Sequence, residues 1–122
     1  MGGTRLDKSF ESPAAAIADL PDGARIAVSG FGQSAGSPVS LLAALCERGS
    51  RGLCLVGNTI PPGARPLFER RQVSRLIMSF TARAGTKSPI ERQIAGGEIT
   101  YELVPQGTLV ERLRAAGAGL AG

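Results

Sequence analysis

The sequence predicts an α/β fold in which an open, mainly parallel sheet carries helices on both faces. Two observations lead to this class. Short apolar runs of strand type alternate along the chain with segments that have helix-start and helix-stop signals. The strand runs are apolar at consecutive positions, which is typical of strands covered on both sides. At 122 residues the chain has the size of one domain, residues 1–122.

The first half of the chain predicts two helices and two strands. Ser12 and Pro13 provide an N-cap and a first helical position for an alanine-rich segment that extends to Leu20. A strand is expected at residues 25–29 and another at residues 53–56. Between them, a helix is expected to begin at residue 38 and to end at residue 49, which is a glycine. Its predicted buried stripe consists of Val39, Leu41, Leu42 and Leu45.

The second half predicts two more strands, at residues 76–79 and 99–104. Helices are expected at residues 66–71, 89–95 and 108–116. The carboxyl ends of parallel strands meet at one edge of a sheet, and open α/β sheets bind ligands there. Glycine and polar residues gather at those ends, namely at residues 30–32, 57–59, 79–83 and 105–107. The sequence therefore places a binding site at the carboxyl edge.

The charge pattern argues against a nucleic-acid-binding protein. The formal net charge is +4, and basic residues are dispersed among acidic ones. Nucleic-acid binding would need a basic face with stacking aromatic residues, whereas the five aromatic residues here are scattered. The densest basic cluster is interpreted as a solvated helix face, with attraction of a phosphate-bearing substrate as the alternative. It consists of Arg65, Arg70, Arg71 and Arg75, with Glu69 among them.

Cys46 and Cys54 match no metal-binding or redox spacing, and the chain has no histidine, which excludes a Cys/His zinc site. Both cysteines are expected to be buried free thiols in a reducing cytoplasm. The N-terminal residues are polar, and no apolar run approaches the ~20 residues that a membrane span needs. We therefore expect a cytoplasmic protein without a membrane segment or a metal.

The glycine-rich loop at residues 30–36 invites comparison with dinucleotide-binding turns. Its pattern is G-x-G-x-x-x-G, whereas the dinucleotide fingerprint is G-x-G-x-x-G with an acid after the second strand. No acid follows the second predicted strand. Residues 85–88 have the wrong order for a phosphate-binding P-loop. The remaining structural interpretation is a turn that lets the next helix pack on its strand.

Two motifs carry a family resemblance. Residues 104–119 read VPQGTLVERLRAAGAG and resemble the block VPQGTLAERIRAGGAG in the A (alpha) subunit of the 3-oxoacid CoA-transferases, the type I CoA-transferases. Upstream, residues 22–32 followed by residues 36–38 resemble the family pattern DG-x-x-apolar-apolar-apolar-GGF-G-x-x-G-x-P. The resemblance extends from about residue 10 to residue 122. It implies the CoA-transferase and sugar-phosphate-isomerase type of α/β fold, incomplete at the C-terminus.

The resemblance also implies a set of substrate-binding and CoA-binding residues. The family lines its acyl pocket with the loop after its second strand and with the glutamine of its PQGT motif, which correspond to Asn58 and Gln106. The other implied binding residues are Gly30, Phe31, Gly32, Gly36 and Gly107. Gly107 is expected to turn the backbone sharply, so that Thr108 caps the last helix, which carries Leu109 and Leu113 back to the core. The structural alternative for Asn58 is a turn residue bonded to its own loop.

Two positions depart from the family pattern. Ser29 replaces the first glycine of GGF, and Thr59 replaces the second of two asparagines. One extra residue also separates Phe31 from Gly36, which changes the N–H groups that point into the cleft.

The family's nucleophile is a glutamate that forms an anhydride and then a glutamyl-CoA thioester, with CoA thioester as substrate and no separate cofactor. In two-subunit members this glutamate belongs to the B subunit, in a Ser-Glu-Asn-Gly type motif. No glutamate of this chain lies in such a motif, and no catalytic residue is assigned: the seven are Glu11, Glu47, Glu69, Glu91, Glu98, Glu102 and Glu111. The resemblance implies a B-subunit partner, an acyl-CoA such as succinyl-CoA and a 3-oxoacid.

Three functional hypotheses follow. The first is the N-terminal part of a CoA-transferase A subunit that is inactive by itself. The second is a non-catalytic, truncated remnant or assembly module that binds a partner subunit. The third is a binder of small phosphorylated metabolites, which rests on fold analogy alone.

Overall fold

The computed structural model describes residues 7–30, 36–81 and 88–120. Four strands form one sheet in the order β1-β2-β3-β4, and all three neighbouring pairs are parallel. The strands are β1 (Arg25–Ala27), β2 (Leu53–Gly57), β3 (Val73–Met78) and β4 (Thr100–Leu103). The helices are α1 (Pro13–Ala16), α2 (Val39–Arg48), α3 (Arg65–Glu69), α4 (Pro89–Ala95) and α5 (Gln106–Gly117). The predicted open parallel sheet is confirmed.

Local capping signals set several helix boundaries. The hydroxyl of Ser12 accepts a hydrogen bond from the Ala15 N–H at 3.1 Å, and Pro13 occupies the first helical position. At α4, the Ser88 hydroxyl accepts from the Glu91 N–H, while the Glu91 carboxylate accepts from the Ser88 N–H. This capping box satisfies two N–H groups that the helix itself cannot bond. The predicted α4 at residues 89–95 is confirmed.

Helices cover both faces of the sheet, as predicted, but unequally. The helix-rich face, which we define as the side covered by α1 to α4, contains the main core. Its completely buried side chains include Leu53, Leu55, Leu67, Phe68, Leu76 and Met78. The opposite side, which we call the α5 face, has a smaller cluster in which Leu109 of α5 packs with Val56 and Ile77 of the sheet. Most of the apolar burial therefore lies on one side.

Strand β3 begins at Val73 rather than at the expected residue 76. The sequence did not indicate this start because a bulge breaks the alternation of apolar residues. Leu53 pairs with Val73, but the next residue of β2 pairs with Arg75, so that Ser74 is the extra residue. The bulge lets Val73 and Leu76, three positions apart, both face the main core. Because residues 74 and 75 are polar, the hydrophobic pattern of the sequence did not predict a strand here.

A buried glutamine joins the loops that precede β2 and β3. Gln72 is 2% exposed, and its side-chain N–H groups donate to the carbonyls of Ser50 at 2.9 Å and of Leu45 at 3.4 Å. Its backbone carbonyl accepts from the Leu53 N–H. This residue therefore satisfies buried carbonyls at the C-terminal end of α2 and aligns the starts of two strands.

Three expectations about apolar residues were wrong. Val39 and Leu41 on α2 are 49% and 38% exposed, whereas Leu42 and Leu45 are buried as predicted. The stripe is therefore narrower than the sequence indicated. Leu113 of α5 is 50% exposed, because only the first turns of that helix contact the sheet through Leu109.

The four arginines of the basic cluster are solvated, as interpreted, but they do not share one helix face: Arg65 lies in α3, Arg70 caps it, Arg71 follows it and Arg75 lies in β3. The four arginines pair with the carboxylates of Glu69, Glu47, Glu98 and Glu102, and the arginine side chains are 44% to 75% exposed. Exposed pairs of this kind contribute little stability, about 0–1 kcal/mol each.

Cys46 and Cys54 are free and buried, as expected. Within residues 7–30, 36–81 and 88–120, no helix combines the length and apolarity that crossing a membrane requires.

Candidate functional site

The four parallel strands end at one edge of the sheet, and the predicted binding residues follow those ends. β1 leads into residues 28–30, β2 into Asn58 and Thr59, β3 into Ser79, and β4 into Pro105 at the start of α5. This edge is where backbone N–H groups and loop side chains of an open α/β sheet are available to a ligand.

A small cavity lies between the ends of β1 and β2. Its volume is about 30 Å³, which suits one small polar group, such as a carbonyl oxygen or a water molecule, rather than a whole acyl chain. The residues lining it are Val28, Ser29, Gly30, Ser37, Asn58, Thr59, Pro61 and Pro62. Among the described residues, none that lines the cavity carries a charge, so the cavity can orient a ligand by hydrogen bonding, and its hydroxyl groups have no base in this lining to activate them.

A hydrogen bond and a close approach of two backbone segments define the shape of the cavity. The Ser37 hydroxyl donates to the Pro62 carbonyl at 3.1 Å, which ties the loop after β1 to the loop after β2. A Cβ atom placed on Gly57 would lie 3.2 Å from the Val28 carbonyl oxygen. Glycine therefore lets the ends of the two strands approach closely, since a side chain there would push the Val28 carbonyl away by a few tenths of an ångström.

Asn58 is the central polar side chain of this edge. Its Oδ1 atom is buried and has no hydrogen-bond partner among the described residues. The same is true of the Ser79 hydroxyl at the end of β3 and, away from this edge, of the Oε1 atom of Gln72 in the loop before β3. Asn58 and Ser79 are linked through the backbone, because the Asn58 carbonyl accepts from the N–H groups of Ser79 at 3.0 Å and Phe80 at 3.2 Å. A buried polar atom without a partner is costly, so the side chains of Asn58 and Ser79 have bonding capacity that a ligand can use.

The predicted site residues do not form one group. Gly30 and Asn58 line the same cavity, whereas Gly36 takes a left-handed conformation at φ +70° just before α2. Gln106 and Gly107 belong to the end of β4, which β3 separates from β2. Two strand spacings are about 10 Å, so a ligand touching both Asn58 and Gln106 must extend across the end of β3. Phe31 and Gly32 lie outside the described residues.

The expected turn at Gln106 and Gly107 was wrong. Both residues are helical and begin α5, with Pro105 at the N-cap and no side-chain cap from Thr108. Proline is compatible with a position next to a helix start, and a glycine in the first turn does not prevent the helix. Gln106 is exposed, and a Cβ atom on Gly107 would meet nothing within 4 Å. Both positions are therefore accessible to a ligand at the carboxyl edge.

Sequence reasoning did not assign Ser37, Thr59 or Ser79 to the site, although Ser79 follows a strand and lies in a segment marked as polar. Their position after a strand or before a helix could have indicated these residues. The sequence does not give the order of the strands, and only this order shows that the end of β3 lies between the ends of β2 and β4.

Among the described residues, the groups with shifted pKa values are Asp7, Tyr101 and Glu102, and none of them lines the cavity. Hydrogen bonds from Arg112, and next from Arg75, hold the pKa of the Glu102 carboxyl below its ordinary value of 4.5. Burial raises the pKa of the Tyr101 phenol above 10.0. Both residues belong to β4 rather than to its end. Among the described residues, no group of three or more potential metal ligands is present.

Comparison with known proteins identifies the family. Residues 10–122 match the family described as Coenzyme A transferase. The chain belongs to the coenzyme A transferase family. The family resemblance seen in the two motifs is thereby confirmed.

Within this family, several of the similar proteins are named as A, or alpha, subunits. The chain is 39% identical over 117 residues to the A subunit of the succinyl-CoA:3-ketoacid coenzyme A transferase of Xanthomonas campestris, covering 93% of this chain and 47% of that protein. It is 40% identical over 104 residues to the alpha subunit of the acetate CoA-transferase of Escherichia coli, covering 83% of this chain and 46% of that protein. The chain thus spans about half the length of these curated relatives.

Solved structures share the fold. A crystal structure of a variant of the decarboxylase AibA/AibB matches with a TM-score of 0.75 and 31% identity, covering 89% of this chain and 43% of that chain. The acyl-CoA transferase YdiF of Escherichia coli matches with a TM-score of 0.79 and 24% identity, covering all of this chain and 25% of that one. A decarboxylase and a transferase therefore share this architecture, and the fold alone does not decide the reaction.

Proposed function

We propose that this chain is the acyl-binding part of a CoA-transferase A subunit, and that a partner B subunit contributes the nucleophile. The main observation in support is the cavity at the ends of β1 and β2, whose described lining consists of uncharged groups, several of them hydrogen-bonding, and includes no carboxylate. Such a lining can position a thioester but offers no glutamate to attack it. The similarity to proteins named as A or alpha subunits supports a two-chain enzyme.

In the proposed reaction, coenzyme A moves from a donor acyl-CoA to an acceptor acid. A glutamate carboxylate of the partner attacks the thioester carbonyl, and the C–S bond breaks to give a glutamyl–acyl anhydride and CoA thiolate. The thiolate attacks the glutamyl carbonyl, which releases the donor acid and leaves a glutamyl-CoA thioester. The acceptor carboxylate then repeats both steps in reverse order. Covalent catalysis of this kind splits one difficult exchange into easier steps.

The role proposed for this chain is to hold the acyl group. The Nδ2 N–H groups of Asn58 would donate to the acyl carbonyl or a terminal carboxylate, and its unpaired Oδ1 atom would accept from a ligand N–H or O–H group. Gly30 lets the ligand approach the backbone. A ligand that extends past Ser79 reaches Gln106, whose side chain is exposed at the start of α5. The N–H groups of that first helical turn, including that of Gly107, add donors for a negatively charged oxygen. Phe31, Gly32 and Gly36 complete the proposed binding set.

The names of the relatives indicate which substrates to test first. Succinyl-CoA with a 3-oxoacid is our leading pair, and acetyl-CoA is the comparison. No separate cofactor or metal takes part in the proposed chemistry, and the proposed location is the cytoplasm.

A coupled assay of 3-oxoacyl-CoA formation tests the proposal. We expect no turnover by the chain alone. We expect turnover once the chain, with whatever further A-subunit sequence the complex requires, is combined with a B subunit. Turnover by the isolated chain would refute the division of labour.

The alternative is a non-catalytic assembly module that keeps the fold and binds a partner subunit. It is favoured by the one-residue-longer glycine loop and by Thr59 in place of an asparagine. A complex that forms stably in a pull-down, yet never turns over any of the tested acyl-CoA substrates, would support this alternative.

A further inference from the structure

Ser79 lies at the end of β3, between the two proposed binding residues Asn58 and Gln106. The sheet order places β3 between β2, which leads into Asn58, and β4, which leads into Gln106. The pairing of β2 with β3 continues past the last residues of these strands, because the Asn58 carbonyl accepts from the N–H groups of Ser79 and Phe80. Neighbouring strands are about 4.8 Å apart, so Ser79 is the direct neighbour of Asn58.

The hydroxyl of Ser79 has bonding capacity that the protein does not use. Its Oγ atom is buried and lacks a hydrogen-bond partner among the described residues, although Ser79 as a whole is only half-buried. A hydroxyl both donates and accepts, and leaving it unpaired away from water is costly. Rotation about the Cα–Cβ bond moves the hydroxyl between staggered positions, so a ligand at the accessible side of Ser79 can supply the missing partner.

The neighbour of Ser79 on the β4 side is apolar. The Val104 N–H donates to the Met78 carbonyl at 3.0 Å, which continues the pairing of β3 with β4, and Val104 is 2% exposed. Val104 packs with Leu109 in the apolar cluster of the α5 face. In the row of residues that directly follow β2, β3 and β4, Asn58 and Ser79 are polar and Val104 is not. The next hydrogen bond to a ligand held by Asn58 therefore comes from Ser79.

The small cavity fixes the direction in which an acyl chain extends from Asn58. The cavity lies on the β1 side of Asn58 and has a volume of about 30 Å³, which holds one carbonyl oxygen. The remainder of the acyl chain must therefore extend to the other side, towards β3 and Ser79.

We propose that Ser79 is a specificity-determining residue, which selects acyl groups with an oxygen on the third carbon over unsubstituted acyl groups. With the first carbonyl oxygen on the Asn58 side-chain N–H, the Ser79 hydroxyl donates to the 3-oxo oxygen. Two C–C bonds join the two carbonyl carbons, so their oxygens lie within about 5 Å of each other. This separation matches the strand spacing of about 4.8 Å. The role rests on the proposed function and deepens it, because it assigns the choice of acyl group to a residue of this chain.

An unsubstituted acyl group leaves the Ser79 hydroxyl without a partner. A methylene group at the third carbon cannot accept a hydrogen bond, and placing it against the hydroxyl keeps water away as well. Sites that hydrogen-bond a substrate reject the analogue that lacks the bonding group more strongly than apolar pockets reject a change of size. Ser79 therefore discriminates by the bond that the wrong acid fails to make.

Kinetics of the reconstituted complex with two acceptors test this role. Succinyl-CoA is the donor, and the acceptors are acetoacetate and butyrate, which have the same carbon chain and differ in the 3-oxo group. For Ser79→Ala we expect kcat/KM to fall about tenfold with acetoacetate and to stay within about twofold with butyrate. Ser79→Thr, which keeps a hydroxyl, should retain the preference for acetoacetate. Ser74→Ala is the matched control, because the hydroxyl of this other β3 serine donates to the Leu53 carbonyl away from the site.

Binding to the full 122-residue chain separates the selectivity from the reaction. Acetoacetate and butyrate are titrated in turn, without CoA or a B subunit, while NMR follows the backbone amides of Asn58, Ser79 and Phe80. The free carboxylate takes the place of the thioester carbonyl. We expect acetoacetate to bind about tenfold more tightly than butyrate, and Ser79→Ala to remove this difference.

The two measurements give distinguishable outcomes. If the complex never turns over but the chain prefers acetoacetate through Ser79, the proposed function fails and the selectivity stands. If the complex turns over and Ser79→Ala affects both acceptors equally, the proposed function stands and the role of Ser79 is overturned. The role is also overturned if the wild-type protein shows no preference for acetoacetate in either measurement.

Discussion

Replacing Asn58 distinguishes a ligand-binding role of this residue from a structural role, because the two roles predict different changes in the free energy of unfolding. Its Oδ1 atom is buried without a partner among the described residues, and burying such an atom costs about 1–3 kcal/mol. Asn58→Ala removes the unpaired atom while leaving the backbone carbonyl that accepts from Ser79 and Phe80. We therefore expect the free energy of unfolding without ligand to stay unchanged or to rise by up to about 1 kcal/mol.

The same substitution should impair function. In the reconstituted complex, Asn58→Ala is expected to lower kcat/KM by about 10–100-fold, which corresponds to ~1.4–2.7 kcal/mol of transition-state stabilisation. Unchanged stability combined with reduced activity is the signature of a ligand-binding residue.

Thermal unfolding followed by circular dichroism, beside steady-state kinetics, measures both effects. Gln72→Ala is the control for a structural buried amide: its Oε1 atom also lacks a partner among the described residues, but its N–H groups donate to the carbonyls of Ser50 and Leu45, which the substitution would leave unpaired. It should destabilise the chain by about 1–3 kcal/mol, or roughly 4 °C in Tm per kcal/mol. If Asn58→Ala lowers Tm as much as Gln72→Ala and leaves the kinetics of the folded complex intact, Asn58 is a turn residue and the site assignment is refuted.

Three further changes test other parts of the account. Gln106→Ala should lower kcat/KM by about 10–100-fold with little change in Tm, since the side chain is exposed; normal kinetics would remove Gln106 from the site. Glu102→Gln should lower Tm at pH 7, because the pKa of Glu102 is held below 4.5 and its stabilising contribution is present above that value. The difference in Tm should close as the pH falls from about 4.5 through the lowered pKa, and a difference that is constant from pH 7 to pH 3 would contradict this. Phe68→Ala should destabilise by about 3–5 kcal/mol in urea unfolding because Phe68 is 1% exposed; a loss under about 1 kcal/mol would contradict the described core.

Features that depend on neighbouring residues could be predicted from the sequence. The N-cap at Ser12 and the limits of α4 are set by side chains within a turn of each other, and β2 was found because it is apolar throughout. The start of β3 was missed because the bulge at Ser74 interrupts the pattern. The start of α5 was misplaced because a Pro-Gln-Gly segment is also typical of turns.

Features that depend on strand order could not be predicted in the same way. Asn58 and Gln106 each follow a strand in the sequence, but the distance between them depends on which strands are neighbours. The exposure of Val39 and Leu113 likewise depends on how far each helix reaches over the sheet. Periodicity identifies the apolar face of a helix but does not reveal what covers it.

The central claim is that this chain binds the acyl group while a partner subunit forms the covalent intermediate. Intact-protein mass spectrometry after incubation of the reconstituted complex with succinyl-CoA tests this most directly. We predict that the B subunit gains the mass of a CoA thioester, whereas the polypeptide that contains this chain gains none. A CoA adduct on one of this chain's own glutamates would contradict the account.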